Sequence, residues 1–369
     1  MTDQTARVFS KAKSVKGWCP GALRPMRSGD GLVVRVRPRL ARLSREQAVG
    51  LADLAGLHGS GIVELTRRGN VQLRGVSEAT LTPLQKGLAL LGLLDTDPGT
   101  ETKRNILTTP FSAAEDMSER IGTTIEARLG ELPELPAKFG FIVDCGETPV
   151  LAGDPGDIRI ERAPGGVVVR PDGGSGTVTA ENAAPDAVIA LAHWFARHRT
   201  PDQRRMRDIA AGEAAPIIPA GERPTPGQSR FGPMVGVAFG QMDATLFAAA
   251  ARALDSLRIT PWRMLILEGA TAIPDGFITA PDPILSVDAC PGAPFCAEAT
   301  VETRDIARLI AGRADSIHVS GCAKGCARSA SSAVTLVGRD GRFDLVKEGC
   351  AGDTPCATGI APEDVPDAL

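Results

Sequence analysis

The chain has no tyrosine, and aromatic residues make up only 4% of its 369 positions. Any mechanism that needs a phenol is thereby excluded. No apolar run approaches the ~18–20 residues of a membrane span. The opening stretch MTDQTARVFSKAKSVKGWCPG holds no apolar segment of the kind found in secretory signals, so a cytoplasmic protein is expected. An excess of one charge is also lacking. Forty-one Lys and Arg stand against 44 Asp and Glu, a formal net charge of −3. That balance gives no reason to expect nucleic acid or a membrane surface as a partner. Nowhere does G-x-G-x-x-G follow an expected strand, so no dinucleotide-binding fold is expected either.

What is plentiful is glycine (41) and proline (28), which signals many turns, in a chain that is 43% hydrophobic. The length allows two or more domains with separate cores. Eight cysteines in a reducing compartment point to metal or redox chemistry rather than to disulfides.

Residues 31–37 (GLVVRVR) alternate like a strand. Ser44, with Gln47 three residues on, forms a capping box at the head of a helix, SREQAVGLADLAGL. Residues 62–74 read as a second strand and 82–94 as a second helix, an α+β module. The module recurs: 235–239 as strand, 244–257 as helix, 258–267 as strand. Leu65-Thr66 aligns with Ile259-Thr260, and Leu73-Arg74-Gly75 with Leu267-Glu268-Gly269. Residues 141–174 and 317–341 form another related pair, each with a cysteine-bearing turn between strands. The order A-B-A′-B′ implies duplication of a two-part unit. The expected units are 17–95, 100–210, 234–280 and 281–369, with the Gly/Pro-rich stretch 211–233 as the linker between halves.

Four cysteines form two spaced pairs, Cys290-x5-Cys296 and Cys322-x3-Cys326, on either side of an expected helix at Thr303–Ala311. Four thiolates on two turns rich in Gly and Pro suit a soft metal. Gly321 and Gly325 leave backbone N–H groups free to donate to sulfur. A structural zinc site is the alternative, but the C-x5-C spacing is wider than zinc knuckles generally use and fits a [4Fe–4S] cluster better. Cys19, Cys145, Cys350 and Cys356 read as free thiols in packing roles.

Period-2 alternation through 62–74 puts Glu64, Thr66, Arg68, Asn70, Gln72 and Arg74 on one face. Val63, Leu65, Val71 and Leu73 take the other, with Arg67 and Gly69. Arg35 and Arg37 share a face of the preceding strand. Adjacent strands would then present Arg35, Arg37, Arg68 and Arg74 together, with Lys103-Arg104-Asn105 and Lys138 downstream. Such a stripe matches a polycarboxylate, since each guanidinium grips one carboxylate through two bonds. A solvated sheet face is the other reading. The second copy has Trp262, Met264 and Ile266 at the positions of Arg68, Asn70 and Gln72, which favours a single ligand site.

These motifs resemble the sulfite and nitrite reductase superfamily: the cysteine pairs, Thr66-Arg-Arg68-Gly-Asn-Val-Gln72, and Arg104-Asn105-Ile106. The resemblance covers most of the chain and implies an α+β fold of duplicated architecture. Residues 17–95 and 234–280 would be ferredoxin-like half-domains, and 100–210 and 281–369 sirohaem-domain-like units. It implies Cys290, Cys296, Cys322 and Cys326 as [4Fe–4S] ligands. Arg35, Arg68, Gln72, Arg104 and Lys138 fall where the reductases hold sirohaem carboxylates or a small anion. Strand face and motif agree on Arg68 rather than Arg67.

Within the superfamily, residues 19–38, 64–76, 258–267, 289–299 and 318–327 are most similar to a branch from aerobic cobalamin biosynthesis. That branch implies a monooxygenase. It uses O2, and electrons from NADH, to hydroxylate precorrin-3A at C-20 with formation of a γ-lactone. It also implies a mononuclear non-haem iron, for which no ligands can be matched in this chain. A separate reductase would deliver the electrons. Where the reductases carry R-K-x-K this chain has Ala137-Lys138-Phe139-Gly140, which weakens the case for a tiny anionic substrate. Two alternatives stand beside this reading: a sirohaem-dependent sulfite or nitrite reductase, and a non-catalytic Fe–S or zinc protein that carries electrons or binds a partner.

Overall fold

The structure, a computed structural model, describes residues 19–210 and 218–369. Residues 17 and 18 of the expected first unit, and 211–217 of the expected linker, lie outside the described residues.

The first unit runs β1 (Met26–Ser28), β2 (Gly31–Val36), β3 (Arg42–Ser44), α1 (Arg45–His58), β4 (Ile62–Leu65), β5 (Val71–Val76) and α2 (Glu78–Leu90). The capping box at α1 is present: Ser44 Oγ accepts from the Gln47 N–H at 3.1 Å, and Gln47 Oε1 accepts from the Ser44 N–H at 3.1 Å. The second unit holds α3 (Pro98–Lys103), β6 (Ile106–Thr108), α4 (Met117–Ala127), β7 (Phe141–Asp144), β8 (Ile158–Ala163), β9 (Gly166–Pro171), β10 (Thr177–Thr179) and α5 (Ala184–His198). The third holds β11 (Gly227–Ser229), β12 (Gly232–Gly236), β13 (Gln241–Asp243), α6 (Ala244–Arg252), β14 (Ser256–Ile259) and β15 (Met264–Glu268). The fourth holds β16 (Val287–Ala289), α7 (Arg304–Leu309), β17 (Ile317–Ser320), β18 (Ser332–Arg339), β19 (Arg342–Gly349) and β20 (Ala357–Ile360).

Four five-stranded sheets result. The first has the order β1-β2-β5-β4-β13 and the third β11-β12-β15-β14-β3. Each therefore borrows an edge strand from the other half: β13 pairs with β4, and β3 pairs with β14. Helices α1 and α6 lie under the two sheets, so Leu51, Val63 and Leu73 share one core with Phe247, Leu257 and Leu265. The second and fourth sheets, β10-β9-β8-β7-β6 and β16-β17-β18-β19-β20, have matching topology. In each, two parallel pairings are followed by two antiparallel ones. Each has its own core. No helix among the described residues is long and apolar enough to cross a membrane.

Two expectations are corrected. Residues 62–74 do not form one strand, and neither do 258–267; each is a hairpin closed by a tight turn. Thr66 Oγ1 accepts from the Arg68 and Asn70 N–H groups at 3.3 and 3.1 Å. Thr260 Oγ1 accepts from Trp262 and Met264 at 3.3 and 3.2 Å in the same way. A threonine hydroxyl that satisfies two backbone donors offers the chain a turn in place of a ladder. The expected helix 244–257 stops at Arg252. Its last residues are claimed by strand pairing, with Ser256 opposite Glu268 and Leu257 opposite Leu267.

The two halves are filled differently. Between the third and second sheets, Met234, Trp262, Met264 and Ile266 pack on Leu107, Ile142 and Leu151. The corresponding region, between the first and fourth sheets, is polar.

Candidate functional site

Strand register builds the polar region. Arg35 lies opposite Gln72, Gln72 opposite Glu64, and Glu64 opposite Gln241, a single row across β2, β5, β4 and β13. Residues in one cross-strand row share a face. Gln72 Oε1 accepts from Arg35 Nε and Nη2 at 3.1 and 2.7 Å, and Gln72 Nε2 donates to Glu64 at 3.3 Å. This face looks toward the fourth unit. Arg304, on α7, pairs with Glu64 at 3.0 Å and donates to Gln241. Ser28 Oγ and Arg74 Nη2 donate to the Phe295 carbonyl at 3.1 and 3.4 Å. Phe295 lies inside the Cys290–Cys296 loop, so the polar face adjoins the first of the two cysteine loops.

Those loops leave neighbouring strand ends. β16 and β17 are parallel, with Ala289 beside Val319, so the segments that follow them emerge at the same edge. Cys290 follows β16; Cys322 and Cys326 follow β17. The Gly321 N–H donates to Cys290 Sγ at 3.2 Å. Thr303 Oγ1 holds the Cys290 carbonyl at 2.6 Å, and the Thr300 N–H holds the Gly321 carbonyl at 3.1 Å. Burial pushes the Cys290 thiol up, and the nearby Cys296 and Cys322 push in the same direction. A metal at the thiolates would remove that penalty. Among the described residues no cysteine is in a disulfide, and no group of three or more His, Cys, Asp or Glu side chains closes on one metal ion. A four-iron cluster, with its irons at separate corners, does not ask its thiolates to converge on a point. An amide donor to sulfur and two adjoining thiol-bearing loops suit such a group.

The remaining expected residues divide into two kinds. Arg35 and Arg68 have no carboxylate partner among the described residues. Arg68 Nη2 donates to the Lys138 carbonyl at 2.8 Å, and burial, with Arg205 nearby, brings its pKa down to about 10. A Cβ at Gly140 would lie 2.7 Å from Arg68 Nη1, so glycine is what admits the guanidinium there. Lys138 meets Arg68 through its backbone, and the residue is exposed. Arg104 is buried, ion-paired to Asp95 at 2.6 Å and bonded to the Arg37 carbonyl at 2.6 Å. Arg37 pairs with Glu101 at 3.0 Å, and Arg74 with Asp30 at 2.8 Å. Of the four arginines expected together, two keep no carboxylate partner among the described residues, whereas Glu101 and Asp30 from other segments neutralise Arg37 and Arg74.

The other thiols are scattered. Cys145 is buried, its pKa pushed up to about 12 by burial. Cys19 lies beside Arg35. Cys350 and Cys356 donate to the Ser329 and Leu345 carbonyls at 3.5 and 3.4 Å.

Sequence reasoning missed a second basic group, centred on the buried Asp288 of β16. Arg67 and Arg328 approach it at 3.6 and 3.1 Å, and Arg263 pairs with it directly. No spacing rule could have joined residues so far apart in the chain. Only Arg67, next to Arg68 in a turn, was within reach of a local argument.

Residues 24–91 match the family described as nitrite/sulfite reductase ferredoxin-like half domain. A precorrin-3B synthase of Sinorhizobium sp. is 30% identical over 394 residues, covering 93% of this chain and 85% of the relative. The chain belongs to the precorrin-3B synthase family. The solved structure of the Mycobacterium tuberculosis NirA protein superposes with a TM-score of 0.65 at 17% identity, over 91% of this chain and 79% of that one. This member of the precorrin-3B synthase family thus has the expected α+β, sulfite/nitrite reductase-like fold. The residues 24–91 that match the half domain also carry Arg35, Glu64, Arg68 and Gln72.

Proposed function

We propose that this chain is a precorrin-3B synthase that works as a monooxygenase. It hydroxylates precorrin-3A at C-20, with closure of a γ-lactone, using O2 and electrons that originate in NADH. The observation that carries the reading is the unequal filling of two corresponding regions. One is packed with Trp262, Met264 and Ile266. The other holds the Arg35–Gln72–Glu64–Gln241 row on a polar face that meets the Cys290–Cys296 loop through Arg74 and the Phe295 carbonyl. That arrangement supports one ligand per chain, rich in carboxylates and held beside a redox centre.

In this reading Arg35 and Arg68 grip substrate carboxylates, and Gln72 orients Arg35. Lys138 stands at the rim. Arg104 positions the backbone of Arg37 and takes no part in binding. Cys290, Cys296, Cys322 and Cys326 would hold the [4Fe–4S] cluster, which supplies electrons one at a time. The Gly321 amide stabilises the Cys290 thiolate. No ligands are assigned to a mononuclear iron. With no dinucleotide fingerprint in the chain, a separate reductase is the proposed electron donor.

The test is anaerobic purification followed by iron and sulfide analysis, an EPR spectrum of the reduced protein and an optical scan. Turnover of precorrin-3A under isotope-labelled O2 completes it. Label in the hydroxyl group of the product is expected. A strong visible band from bound sirohaem would overturn the reading in favour of a reductase. An intact cluster with no affinity for any tetrapyrrole would leave an electron carrier.

A further inference from the structure

The Thr66–Asn70 turn sends adjacent arginines to opposite sides. Arg68 reaches the Lys138 carbonyl of the second unit at 2.8 Å, whereas Arg67 turns to Asp288 of the fourth at 3.6 Å. Asp288 is buried and already serves Arg263 and Arg328. Three guanidiniums on one carboxylate leave an excess of positive charge, which Asp154, near Arg67 and Arg223, offsets only in part. Arg223 adds to that excess, and Arg304 lies nearby. Arg263 is brought down to about 9, by burial first and then by Arg67, Arg223, Arg304 and Arg328. Arg304 spends its own charge on Glu64 of the polar row, which also makes the group continuous with that row. Like charges gathered in a partly buried space favour a bound anion.

A second observation is independent of charge. Arg263 has φ +59°, at the position where the first turn has Gly69 with φ +65°. The left-handed region costs an L side chain roughly 1 kcal/mol. The chain keeps an arginine where its own first copy shows that glycine suffices, and that arginine points at Asp288.

We propose that Arg67, Arg263 and Arg328, spaced by Asp288 and flanked by Arg223, form a second carboxylate subsite for the tetrapyrrole. Arg35 and Arg68 take carboxylates at one edge of the macrocycle, and this group takes those at another. Asp288 holds the guanidiniums apart so that each keeps N–H donors for the ligand. The inference rests on the reading of the polar region as a tetrapyrrole site.

The test uses the cluster-loaded full chain and the metal-free porphyrin uroporphyrin, followed by fluorescence. Arg263→Gly suits the positive φ, and Arg67→Gln alters a half-exposed side chain; both should keep the fold and the iron content. Each is expected to weaken uroporphyrin binding about tenfold, the cost of losing one charged hydrogen bond. Coproporphyrin, which lacks the acetate side chains, should bind more weakly to the wild type and lose less in the variants. If both variants bind uroporphyrin as the wild type does while Arg68→Ala does not, the second subsite is wrong and the site reading survives. If the wild type binds no porphyrin, or Arg68→Ala changes nothing, the site reading itself fails. If inorganic phosphate binds through Arg263 and leaves porphyrin affinity untouched, the group is a small-anion site and the proposal is overturned. Should Arg263→Gly not fold, Arg67→Gln decides alone.

Discussion

Trp262 and Arg68 occupy corresponding positions of two turns, and their replacement by alanine should have opposite consequences. Trp262 is 4% exposed, its ring centroid is 6.4 Å from that of Phe111, and its Nε1 donates to Asp154 at 3.0 Å. Truncating a buried Trp costs about 3–5 kcal/mol. Leaving a partly buried carboxylate without its donor adds about 1 kcal/mol or more. A total near 5 kcal/mol, at about 2 °C per kcal/mol, lowers Tm by ~10 °C. Arg68 is half-buried and bonds a backbone carbonyl. Its removal costs about 1 kcal/mol at most. Thermal melts of the two variants should therefore differ by several degrees. Titration with uroporphyrin at 20 °C should invert the order, with Arg68→Ala losing about tenfold or more in affinity and Trp262→Ala losing almost nothing. Equal loss of affinity in both variants, or a larger fall in Tm for Arg68→Ala, would refute the assignment of one region as core and the other as site.

Gly321→Ala should lower the iron and acid-labile sulfide bound per chain, because a Cβ there would lie 2.6 Å from the Ala299 Cβ and push the two cysteine loops apart; unchanged iron content would show the loops to be more tolerant than their packing suggests. Burial raises the Asp154 pKa to about 6, so the folded chain holds this proton more tightly than the unfolded chain. Stability should fall as pH rises from about 4 to about 6, by on the order of 3 kcal/mol, and Asp154→Asn should flatten that part of a urea-denaturation profile against pH. Glu101, 4% exposed, holds Arg37 at 3.0 Å and accepts from the Ala22 and Leu23 N–H groups. Glu101→Gln should cost about 3 kcal/mol, and limited proteolysis should then cut within residues 19–25 before any other loop.

Much of the architecture was legible because duplication left matching residues at matching places. Thr66 and Thr260 align in sequence and make the same turn through the same hydroxyl bonds. The turn itself was invisible to alternation. Arg68 and Asn70 keep the parity of Glu64 and Gln72, so a hairpin reads like an unbroken strand. Residues 244–257 are rich in alanine and leucine, and nothing local says that Ser256 and Leu257 will pair with β15 and β3. Periodicity also counts arginines without their partners. Arg37, Arg74 and Arg104 are neutralised by Glu101, Asp30 and Asp95, which come from other segments. The Asp288 group was unreadable for the same reason: its members meet only when the units close on one another.

The exchange of β3 and β13 bears on how such a site could arise. Two separate copies of one half, each lending its third strand to the other, would close the same pair of sheets as a two-fold homodimer. In that homodimer every interface residue appears twice. A cavity lined with arginine on one side would have to be lined with arginine on the other, and the cost of gathering like charges would be met twice. Covalent fusion lifts the constraint of symmetry. A fused chain can place Arg68 in one turn and Trp262 in its counterpart, so that one interface is filled by apolar side chains while the other stays polar.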